Sequence, residues 1–106
     1  MTKRATVLRT RPASGSLLDI LRYIQADSPS AAQRLAEEIE AKTSRLGRFP
    51  ISGRVVPKFP SSGLREILGG NYRIIYRLVK EKSRVEVLTV RHGARLLDER
   101  PEAKER

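Results

Sequence analysis

The chain has 106 residues, enough for one domain with one core, and it carries 22 Lys and Arg against 12 Asp and Glu, a net charge of +10. It has no cysteine and a single histidine, His92, which excludes disulfides, thiolate metal sites and histidine-cluster metal sites. No apolar run approaches the ~18 residues of a membrane-spanning helix, so a cytoplasmic protein without metal or cofactor is expected, with a charge that draws nucleic acid or an acidic protein.

Ala5, Val7 and Leu8 lie among basic residues between Arg4 and Thr10 and read as a short strand at or near a sheet edge. Pro12, Gly15 and two serines then read as a turn. Leu17, Leu18, Ile20, Leu21 and Ile24 recur at helical spacing, which predicts a helix from about Ser16 to Ala26. Asp27-Ser28-Pro29 ends it and begins the next: Ser28 suits an N-cap, and Pro29 suits the first helical position, where its missing N–H has no helical partner. The second helix runs from about Pro29 to Leu46, with Ala32, Leu35, Ile39, Thr43 and Leu46 on one stripe. Gly47 and Pro50 stop it. So short a connection makes the two helices an antiparallel hairpin.

From Phe49 to Gly63 the chain is rich in Pro, Gly and Ser and reads as an ordered loop. Leu64–Leu68 is a strand, and Gly69-Gly70-Asn71 is a turn signal. In Tyr72–Val79 the even positions are Tyr72, Ile74, Tyr76 and Leu78, while the odd ones include Arg73 and Arg77, so the alternation is that of a half-buried strand. Glu81-Lys82-Ser83 turns the chain into a last strand, Val85–Val90, ended by Gly93. Residues 1–97 then form one domain and 98–106 a charged, frayed tail. The order β-α-α-β-β-β predicts an α+β fold, an antiparallel sheet with a helical hairpin on one face. Leu21, Ile24, Leu35, Ile39, Tyr72, Ile74, Tyr76 and Leu78 are the expected core.

The charge is uneven. Residues 54–95 hold 10 basic and 3 acidic side chains, so the sheet half is the basic half. Arg54, Lys58, Arg65, Arg73, Arg77, Arg91 and Arg95 are expected to converge on the open face of the sheet as an anion-binding surface. Tyr72 and Tyr76 share the face expected to be buried, which argues against a single-strand binder that stacks bases on this sheet.

Several segments together resemble the RelE/ParE superfamily of bacterial toxins across nearly the whole chain. They are Asp19-Ile20-Leu21-Arg22-Tyr23-Ile24, Ser28-Pro29-Ser30-Ala31-Ala32-Gln33-Arg34 and the loop Pro50…Gly53-Arg54-Val55-Val56-Pro57. More specific are Leu64-Arg65-Glu66, Tyr72-Arg73-Ile74-Ile75-Tyr76-Arg77 and Val90-Arg91-His92-Gly93-Ala94-Arg95. The resemblance implies the β-α-α-β-β-β fold, growth arrest, and an acidic, DNA-binding cognate antitoxin of the ParD or RelB kind that covers the toxin's working surface. An acidic arm would be steered to a protein of this charge.

The superfamily has two mechanisms. RelE-like members cut messenger RNA on the ribosome; ParE-like members poison DNA gyrase without an established hydrolytic site. RNA cleavage needs an acid, a base and cations for the charge developing on phosphate. The resemblance assigns those roles to His92 and Arg73, and His92 is the only side chain titrating near neutrality. Against this, Val55-Val56-Pro57-Lys58 offers no carboxylate where one branch places its base, and no tyrosine follows Tyr76 where another places one. Glu66 reads as the ion-pair partner of an arginine rather than as a base. The ParE-like reading is preferred, with Arg65, Arg73, Arg77, Arg91 and Arg95 as the target-binding set. The RelE-like nuclease and a non-toxic nucleic-acid-binding or interaction module are the alternatives.

Overall fold

The structure, a computed structural model, describes residues 4–93. Its elements are β1 (Thr6–Arg9), α1 (Arg11–Asp27), α2 (Pro29–Arg45), β2 (Arg54–Val55), β3 (Leu64–Gly69), β4 (Tyr72–Val79), a 3-10 turn (Lys80–Lys82) and β5 (Arg84–His92). The strands form one sheet in the order β1-β5-β4-β3-β2. The hairpin covers one face, with α1 over β5 and α2 over β3. This is the expected α+β architecture, with two differences. β1 lies parallel to β5, so the sheet is mixed, and the two-residue β2 adds a fifth strand antiparallel to β3.

Helix α1 starts five residues before the expected position. Thr10 is its N-cap, its hydroxyl accepting from the Ala13 N–H at 3.3 Å, and Pro12 falls in the first turn, where a proline costs no helical hydrogen bond. Pro12 and Gly15, read as a turn, are therefore helical. Thr10 also ties this end to the sheet by donating its hydroxyl to the carbonyls of Val87 and Leu88. Ser28 caps α2 as expected, accepting from the Ala31 N–H. Gly47 is needed for a close approach: a Cβ there would sit 2.9 Å from the Ala5 carbonyl oxygen, and the Gly47 carbonyl itself accepts from the Ala5 N–H at 2.7 Å. The β3–β4 turn bends at Gly70, whose φ of +61° favours glycine, and the Gly70 N–H donates to Glu38 on α2.

The core centres on Ile39, Leu46, Ile74, Tyr76, Val85, Val87 and Val90, with Ala5 and Ala13. Of the expected core, Ile39, Ile74 and Tyr76 are buried, while Leu35, Tyr72 and Leu78 are partly buried against it. From α1 the inward positions are Ala13, Leu17 and Ile20, at i, i+4 and i+7. Leu21 and Ile24 are only half-buried.

Strand β5 contains an irregularity that decides where its side chains point. Ile75 pairs with Thr89 but Tyr76 pairs with Val87, so Leu88 is an extra residue in β5. Val85 and Val87 face the helices on one side of it. On the other side the parity is reversed, and Val90 and His92 face the helices instead of Thr89 and Arg91.

Candidate functional site

The open face of the sheet is basic, but most of its arginines are held in ion pairs within it. Glu66 on β3, 2 % exposed, receives Arg54 Nε at 2.6 Å and Arg73 at 2.9 Å. Arg73, expected to face solvent, is itself buried at 8 %. The register explains the arrangement: Arg54 is paired with Glu66 across β2–β3, while Leu68 is paired with Arg73 across β3–β4, so all three charged residues share a face and Arg73 reaches back along β3. A second triad closes the other half. Glu86 on β5 receives Arg77 at 2.9 Å and Arg84 at 2.8 Å.

Arg65 does not join this face. Its cross-strand neighbour is Tyr76, on the helix side, and it donates to the Gly53 carbonyl at 2.7 Å. Together with Tyr76, whose hydroxyl donates to the Pro50 carbonyl at 2.8 Å and accepts from the Gly53 N–H at 2.9 Å, it fastens the loop leading into β2. Burial raises the Tyr76 phenol above its ordinary value, with the Gly53 N–H and the Arg65 charge working against it. Gly53 is required here: a Cβ would lie 2.6 Å from the Tyr76 hydroxyl oxygen and 2.7 Å from the Glu66 carbonyl oxygen.

The expected convergence of arginines is therefore corrected. Arg54, Arg73, Arg77 and Arg91 share the open face, but among the described residues only Arg91 of these four lacks an ion pair. Arg95 lies outside the described residues. His92 is paired with Tyr72 on the helix side and meets its ring edge-on, centroids 5.2 Å apart at 78°. Arg73 is paired with Arg91 on the other side. The two residues suggested for RNA cleavage thus stand on opposite faces of the sheet, separated by the parity change at Leu88. Among the described residues no cluster of His, Cys, Asp or Glu could hold a metal ion, and no helix is long and apolar enough to cross a membrane.

The Glu86 triad has a pH signature. The hydrogen bond from Arg77 is the largest cause holding the Glu86 carboxyl below its ordinary value of 4.5, with Arg84 adding to it and desolvation opposing. A depressed folded-state value means the stabilisation is present above the unfolded value and is lost as pH falls through the folded one. Melting curves from neutral pH into the acid range below 4.5 should therefore show a smaller drop in Tm for Glu86→Gln than for the parent chain. Equal drops would remove Glu86 from the acid response.

A helical hairpin on one face of a small mixed sheet, with a solvent-facing surface of paired arginines and glutamates, defines a RelE/ParE-like toxin fold. Residues 7–97 match the family model of the ParE toxin of the type II toxin–antitoxin system parDE, and the chain belongs to that family. Among solved structures it is similar to the chromosomal ParDE toxin–antitoxin system of P. aeruginosa, at 19% identity over 86% of this chain and 98% of that one, with a TM-score of 0.70. It is also similar to the RelBE2 toxin–antitoxin complex of Mycobacterium tuberculosis, at 25% identity over 87% of this chain and 94% of that one, with a TM-score of 0.63. No curated protein sequence matches the chain.

Proposed function

We propose that this toxin arrests growth by a ParE-like, non-hydrolytic inhibition of DNA gyrase in the cytoplasm, and that an acidic antitoxin keeps it silent. The observation carrying the non-hydrolytic reading is the separation of His92 from Arg73. A phosphoryl-transfer site needs its proton donor and its cation around one scissile phosphate. Here the ring packs on Tyr72 while the guanidinium is locked to Glu66 on the opposite face. Membership of the ParE family supports the same choice.

The antitoxin reading is supported by two neighbours described as toxin–antitoxin systems or complexes and by the net charge of +10. It is also supported by apolar side chains left exposed. Tyr23 is 83 % and Leu18 47 % exposed on α1, and Ile51 and Phe59 are exposed in the loops flanking β2. A partner that buries these holds the complex together, while charge speeds its approach.

The test compares His92→Gln with Arg91→Glu. On the gyrase reading, His92→Gln leaves growth arrest and inhibition of gyrase supercoiling nearly unchanged, and Arg91→Glu weakens both. If instead wild type produces transcripts cut within codons on ribosomes, and His92→Gln lowers that cleavage by about 10²–10⁴-fold, the protein is a nuclease and the gyrase reading fails.

A further inference from the structure

Among the described residues, three arginines without an ion pair also gather away from the open sheet face. Arg4, Ser44, Arg45, Arg48 and Phe49 line a cavity of about 230 Å³ where the end of α2 meets the start of β1. None of the three arginines has an ion pair among the described residues. The nearest carboxylate along α2, Glu40, is engaged by Arg9 at 3.3 Å and by the Ser44 hydroxyl at 3.4 Å. The backbone extends this basic end further. Ala5 bonds to Gly47 and Thr6 bonds to Ser83, which brings the exposed Lys80 and Lys82 of the 3-10 turn, with Glu81 between them, to the same end of the sheet.

The cavity also has an aromatic wall. Phe49 is 48 % exposed although the Arg45 guanidinium stands over its ring, 6.0 Å from the centroid. Unpaired guanidiniums that can take a phosphate bidentately, beside a ring that a base can stack against, are the two elements of single-strand recognition. The cavity is also larger than a carboxylate group alone requires. The open sheet face lacks this combination: the sheet's aromatics are on the helix side, and four of the face's arginines are held by Glu66 and Glu86, which leaves Arg91.

We infer that the cavity between the end of α2 and the start of β1 binds single-stranded nucleic acid, a backbone phosphate lying among Arg4, Arg45 and Arg48 and an adjoining base against Phe49. This site does not depend on the gyrase reading and can stand or fall without it. The test is binding of a short fluorescent oligothymidylate to the purified chain across a salt series, with a duplex of the same length in parallel. Arg45→Gln/Arg48→Gln should weaken single-strand binding about tenfold or more and make the salt slope shallower by about 1.4. Arg22→Gln/Arg34→Gln removes the same charge from exposed positions of the hairpin and should change affinity less than about twofold. Phe49→Ala should weaken the single strand about tenfold and leave the duplex unaffected. All variants change exposed side chains, and their melting temperatures should match wild type. Equal losses in the two arginine pairs would reduce the effect to diffuse charge and overturn the site. So would an indifferent Phe49→Ala, or tighter binding of a polyglutamate peptide with the same arginine dependence.

Discussion

Glu66→Leu is expected to destabilise the fold by about 3–5 kcal/mol, the cost of leaving a buried charge without its partner. The reason lies in Arg73, which is 8 % exposed and is ion-paired with Glu66. Arg54, the second cation on Glu66, has a side chain 58 % exposed and can turn to water when the carboxylate is gone. Arg73, buried where it stands, is left with its charge out of water. The paired variant Glu66→Leu/Arg73→Met should recover most of the loss, because replacing a buried ion pair with apolar side chains of similar size is often neutral. Glu86→Leu should cost much less, since Arg77 is 56 % exposed on its side chain and loses its partner in water. Denaturant midpoints of the four chains, with the m-value checked for constancy, decide the matter. A Glu66→Leu chain as stable as wild type would mean that Arg73 is hydrated in solution and that the triad holds nothing together.

That triad marks the boundary of what the linear sequence discloses. The alternation of Tyr72, Ile74, Tyr76 and Leu78 was legible because Ile74 and Tyr76 are fully buried in the core and Tyr72 and Leu78 pack against it from the same face. Ser28-Pro29 was legible because a cap is a local device. The basic face was misread for the opposite reason. Arg73 and Glu66 are seven residues apart and meet only through the register of a hairpin, and Arg77 meets Glu86 across the next one. Arg77 and Glu86 flank the 3-10 turn, and pairing charges outward from such a turn could have found them. The extra residue at Leu88 left no such signal. Simple alternation from Val85 and Val87 puts Arg91 inward and His92 outward beside Arg73, the arrangement a nuclease would need, and the bulge reverses it. The start of α1 was missed because Pro12 and Gly15 resemble a turn, whereas Thr10 makes the same residues a capped first turn. β2, with two residues, is too short to carry a period.

Ile74→Ala should destabilise the protein by about 2–5 kcal/mol, the usual range for opening a cavity in a packed core, and Ile75→Ala should cost distinctly less. The two residues are adjacent, have the same side chain, and lie in the same strand, so strand propensity and the unfolded chain change alike in both. What differs is the face. Ile74 is fully buried, paired with Ile67 and Val90 on the helix side, and its Cδ1 lies near Gly69, which also approaches Ile39 of α2. It therefore joins the sheet to the second helix, and its loss leaves a void that a paired sheet and a capped helix cannot easily collapse into. Ile75 is half-buried on the open face, paired with Glu66 and Thr89, where water can replace the lost methyl groups. The comparison tests the face assignment on which the site rests, since Arg73 and Arg77 share the face of Ile75 and His92 shares that of Ile74. Thermal and denaturant unfolding of the two variants should rank them in that order. Equal costs, or a larger cost at Ile75, would put the helices on the other side of β4 and return Arg73 to the core side of the molecule.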